Sequence, residues 1–67
     1  MTDEERIADL RENINDLNRR KKDIAEFLSR GKTTESQREV FTLSYADLEG
    51  EILNQQQAIR RIQSKGN

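Results

Sequence analysis

Two apolar runs that recur at alternating steps of three and four residues constrain this chain more than any other feature. In the first half the run is Ile7, Leu10, Ile14, Leu17, Lys21, Ile24 and Leu28, with Lys21 its one polar member. In the second half it is Phe41, Tyr45, Leu48, Ile52, Gln55, Ile59 and Ile62, interrupted only by Gln55. Such spacing draws one stripe along a helix, the heptad seam of a coiled coil. A half-buried strand would need period two, and neither half shows it. Pro is absent, and Gly31 marks the one convincing break, within Ser29-Arg30-Gly31-Lys32-Thr33-Thr34.

The ends of the two predicted helices carry their own signals. Thr2 with Glu5 fits a capping box, in which hydroxyl and carboxylate each satisfy a backbone N–H of the opening turn. Thr34 with Gln37 repeats the device at the second helix. Gly31 suits the left-handed residue that closes a helix, with Arg30 near the negative end of the dipole. Asp3, Glu4 and Glu5 gather at the first N-terminus, and Arg60, Arg61 and Lys65 near the far C-terminus, so both sets complement the macrodipoles. The expected elements are a helix over about 3–30, a turn at 31–34 and a helix over about 35–64, forming one domain from 1 to 67.

So short a link makes the helices antiparallel neighbours. Setting Leu28 opposite Phe41 places Ile24 at Tyr45, Lys21 at Leu48, Leu17 at Ile52, Ile14 at Gln55, Leu10 at Ile59 and Ile7 at Ile62. Every seam position then meets a seam partner. The fold class is all-α, an antiparallel two-helix coiled-coil hairpin. The polar members have structural readings: each can set register at a cost in stability, and Lys21 can lay its stem on Leu48 while its ammonium reaches water.

One stripe per helix is a thin core, and chains of this size without disulfides or metal often associate. Leu43, Ala46, Gly50 and Leu53 recur at steps of three and four on a second face of the second helix. Gly50 in a helix interior costs about 1 kcal/mol relative to Ala, so a close helix contact would account for it. Phe27 and Val40 lie off the seam and could widen that contact. These residues are the expected interface of a homo-oligomeric helical bundle; the alternative is that Gly50 is merely tolerated on an exposed surface.

Composition narrows the function. With neither Cys nor His there is no thiolate site, no cysteine nucleophile and no histidine base or ligand. No cofactor, no side-chain metal site and no enzymatic activity are expected, although magnesium held between subunits stays open. No apolar run approaches the roughly 18 residues of a membrane span, and no hydrophobic segment follows Met1. A cytoplasmic protein that works by presenting surfaces is the expectation. Arg19-Arg20-Lys21-Lys22 is the densest basic run, but helical steps of 100° spread it around the cylinder. Asp16, Asp23 and Glu26 stand at ion-pairing distance along the chain. A net charge of −1 gives no global field for long nucleic acid.

The turn end is the candidate ligand site. Phe27, Phe41 and Tyr45, the only aromatics, fall in the same third of the hairpin, with Arg30, Lys32, Thr33, Thr34 and Arg38 around them. Aromatic faces with guanidinium and hydroxyl donors suit a small phosphorylated or nucleotide ligand. The same residues are also what a splayed hairpin end needs to fill space and cap helices.

Ile14-Asn15-Asp16-Leu17, Glu26-Phe27-Leu28, Glu35-Ser36-Gln37-Arg38-Glu39, Leu43-Ser44-Tyr45-Ala46-Asp47-Leu48 and Ile59-Arg60-Arg61-Ile62 together resemble a family of short phage and prophage proteins named after a small gene product of a crAss-like phage. Members look like helical hairpins, with an aromatic-aliphatic pair ending the first helix and a polar turn before the second. The chain departs from them at Ala46, Gly50 and Gln55, where members often carry Met and bulkier residues. The family supplies no settled activity and no residue roles. The resemblance implies a viral origin and hence the cytoplasm of an infected bacterium. On that reading the expected function is a non-catalytic, oligomeric protein that counters host antiviral defence, with a signalling nucleotide or a host defence protein as its partner. A structural or assembly hairpin is the alternative, and an RNA-binding hairpin dimer a weaker one.

Overall fold

The computed structural model describes residues 2–65. It contains two helices, α1 (Asp3–Ser29) and α2 (Glu35–Lys65), of 27 and 31 residues. They lie side by side as a hairpin measuring 50 × 15 × 14 Å. Their antiparallel course is visible in who meets whom. Phe27 stacks on Phe41 beside the turn, Ile24 shares a groove with Leu48 at mid-length, and Leu10 shares one with Ala58 and Ile62 at the open end.

Local chemistry starts and stops each helix where the sequence places the signals. Thr2 has extended backbone, and its hydroxyl oxygen accepts the Glu5 N–H at 3.2 Å. The return half of this box differs from expectation. The Glu5 carboxylate accepts the Thr2 hydroxyl at 3.3 Å rather than a backbone N–H. At α2 the box is reciprocal: Gln37 N–H donates to Thr34 Oγ1, and Thr34 N–H donates to Gln37 Oε1, each at 3.1 Å. Between the helices, Arg30 caps α1 with its N–H on the Phe27 carbonyl at 3.3 Å. Gly31 then turns the chain at φ +71°, a conformation costing an L side chain about 1–2 kcal/mol.

All fourteen expected seam positions are buried or half-buried. Leu17 and Ile52, expected to face one another, are only 6% and 8% exposed, and Ile59 and Ile62 are buried as well. Burying this stripe removes apolar surface from water, and that is the main force joining the helices. The covered sector is broader than the seam alone, because Phe27, Thr33, Ser44 and Ala58 are half-buried beside it. Toward the turn the seam loosens: Ile24, Leu28, Phe41, Tyr45 and Leu48 are all half-buried.

Gln55 leaves a defect in the seam. Its Oε1 is buried without a hydrogen-bond partner, and a buried unsatisfied acceptor costs about 1–3 kcal/mol. Gln55→Leu is therefore expected to raise stability to urea by about that much; an unchanged or lower midpoint would refute the assigned cost. The glycines give an opposed pair. In dilute solution Gly31→Ala should destabilise by about 1 kcal/mol. At Gly50 a Cβ would meet nothing within 4 Å, so Gly50→Ala should stabilise the single hairpin by about 1 kcal/mol. Urea melts of both variants check the signs.

Candidate functional site

Three surfaces were singled out by residue type, and the folded chain treats them differently. At the turn, Arg30, Lys32 and Arg38 are exposed, and none lies within 4.0 Å of a carboxylate among the described residues. Three cationic groups thus stand unpaired around one end of the rod. Thr34 is committed to its capping box. Thr33 is half-buried, with Oγ1 covered and unpartnered.

The rings at this end are engaged within the chain. Phe41 packs against Phe27 with centroids 4.7 Å apart and planes tilted by 53°, an arrangement aromatic pairs favour. Tyr45 carries the Lys21 ammonium, 5.0 Å from its ring centroid. The ring's negative face attracts the charge where the seam half-buries the Lys21 stem. An open apolar groove lined by Ala25, Leu28, Ser29, Thr42 and Tyr45 runs alongside. The turn end therefore brings together basic groups and a hydrophobic shelf, with one face of each α2 ring already in use.

On α2, the face away from α1 is open. Val40, Leu43 and Leu53 are 59%, 63% and 54% exposed, and Ala46 and Gly50 lie exposed between them. Val40 accordingly belongs to this outer surface, whereas Phe27 has joined the packing between the helices.

On α1, the basic run behaves as helical geometry requires. Arg19, Arg20 and Lys22 are exposed in different directions and Lys21 turns into the seam. Arg19 pairs with Asp16 at 3.8 Å, both well exposed, an interaction worth a few tenths of a kcal/mol. Among the described residues no group of three or more acidic side chains gathers as a metal site, and no helix is long and apolar enough to cross a membrane.

On α2, Ser44 and Ala58 are the covered residues that the seam pattern does not contain. Each adjoins a seam member, Tyr45 or Ile59, and their small size is the available signal, since it lets α1 approach the flank of α2.

No family model matches the sequence, and no curated protein or solved structure matches it at significant similarity.

The contact between Lys21 and Tyr45 is testable by itself. A double-mutant cycle of Lys21→Met and Tyr45→Leu, followed by urea unfolding, should give a coupling of about 0.5–1 kcal/mol. Additive effects would show that the ammonium gains nothing from the ring.

Proposed function

We propose that the protein is a non-catalytic binding hairpin that acts as a homo-oligomer. Its target is a small phosphorylated nucleotide, captured at the turn end. The observation that carries this reading is the exposed set of Arg30, Lys32 and Arg38, none within 4.0 Å of a carboxylate among the described residues, at one pole of a hairpin whose α2 leaves Leu43 and Leu53 in water. Guanidinium and ammonium donors of this kind bind phosphate through charge-assisted hydrogen bonds. The grooves along the described residues of the hairpin are open, so neighbouring copies would be needed to enclose a ligand. The non-catalytic part of the reading rests on the absence of His and Cys from the sequence. The resemblance to short phage proteins supplies the setting: sequestration of a messenger of bacterial antiviral signalling, in the cytoplasm of the infected host.

One observation favours a second reading, a hairpin that binds a host defence or assembly protein. Phe41 and Tyr45 already hold Phe27 and Lys21, and the adjoining groove is lined mainly by apolar atoms, a surface suited to a protein side chain.

Native mass spectrometry of the purified chain, alone and mixed with a panel of bacterial signalling nucleotides, tests both. An oligomer that gains nucleotide mass, and loses it on Arg38→Ala with helicity unchanged, is the expected result. Arg38→Ala should weaken binding by at least tenfold, about 1.4 kcal/mol for a lost charge-assisted contact. An oligomer with no adduct would overturn the nucleotide reading in favour of a protein partner. Retained binding in the variant would move the site to Arg19–Lys22.

A further inference from the structure

We infer that two copies of this chain pair through α2 in antiparallel orientation, about a two-fold axis beside Gly50; this rests on the self-association proposed above and specifies its geometry. At 100° per residue, Glu39, Leu43, Gln57 and Arg61 all fall within about 20° of Gly50 around the helix. Phe41 and Ile59, which are turned to α1, fall on the opposite side. Glu39, Leu43, Ala46, Gly50, Leu53, Gln57 and Arg61 are all exposed. Since a Cβ on Gly50 would meet nothing within 4 Å, no packing inside the hairpin requires glycine there.

Charge decides the direction. Before Gly50, α2 carries Glu35, Glu39, Asp47 and Glu49 against Arg38; after it come Arg60, Arg61 and Lys65 against Glu51. Parallel pairing would lay acid on acid and base on base. Antiparallel pairing lays each acidic half on a basic half, and it also opposes the helix dipoles. The register follows from symmetry. Glu39 and Arg61 each lie eleven residues from Gly50, so a two-fold there sets Glu39 of one copy against Arg61 of the other, twice. Leu53 of one copy meets Ala46 of the other across the axis, where the missing side chain at Gly50 lets the backbones approach. An open groove between this face and Lys21 of α1 runs past Gly50, Leu53 and Gln56. In such a dimer the two turns lie at opposite ends, so a ligand held by Arg38 binds once per chain and not at the axis.

Sedimentation equilibrium on the full chain tests the pairing. The natural sequence should dimerise, more weakly as salt rises. Glu39→Arg and Arg61→Glu should each weaken the dimer roughly tenfold, because each change acts at two symmetric contacts. The double variant, with both charges exchanged, should recover most of that loss. Both positions are exposed, Arg61 at the edge of a groove it shares with Arg6 and Asp9 of α1, and circular dichroism of each variant confirms retained helix. Single variants that dimerise as the natural chain does, or a double variant no better than the singles, would overturn the antiparallel arrangement and leave self-association standing. A chain that stays monomeric at all concentrations overturns self-association as well.

Discussion

The apolar stripe shared by α1 and α2 is the interaction on which everything else in this molecule depends. Leu17 and Ile52 are its driest members, and Ile59 and Ile62 extend it toward the open end. Hydrogen bonds close each helix upon itself, and the caps at Thr2 and Thr34 trim the ends. None of these ties one helix to the other. That task falls to burial along a seam one side chain wide, and to the five-residue link that keeps the two stripes within reach. The open shape follows directly: with a single layer of side chains between two rods, no group can be enclosed deeply. Whatever the protein binds must be met at a pole, along a groove or between copies.

Much of this architecture was legible in the order of the residues because a heptad seam is a statement about one angular sector, and helical geometry converts spacing into angle without reference to anything distant. The same holds for Gly31, whose left-handed backbone is a local matter, and for the Thr34–Gln37 box, where the partners are three residues apart. What spacing does not convey is the width of the covered sector. Ser44 and Ala58 are shielded because α1 sits slightly to one side of the α2 stripe, a packing detail set by the sizes of many side chains together.

The candidate site was less legible, for a different reason. Its residues are long or have alternative partners, and rotamers rather than backbone position decide where they go. Lys21, aligned with Leu48 by spacing, places its ammonium over Tyr45. Phe27 could have joined an outer face, yet it packs on Phe41. Glu5 could have accepted a backbone N–H, yet it takes the hydroxyl beside it. In each case the sequence brings the right groups to the right end, and competition between near-equal contacts of about a kcal/mol or less chooses among them.

The two helices are also unlike in a way that the seam conceals. Outside the stripe, α1 presents Asp9, Glu12, Asp16, Arg19, Lys22, Asp23 and Glu26, a surface that water solvates well. Among the described residues, the three large apolar side chains that remain exposed belong to α2. Isolated exposed apolar residues are ordinary on a protein surface, but Leu43 and Leu53, with Ala46 and Gly50 between, form a second face roughly opposite the first. An amphipathic helix needs only one apolar side to join a hairpin. A helix with two has an apolar side that the hairpin leaves uncovered. This asymmetry gives α2 the apolar outer surface and α1 the charged one, and leaves Arg30, Lys32 and Arg38 exposed around the turn.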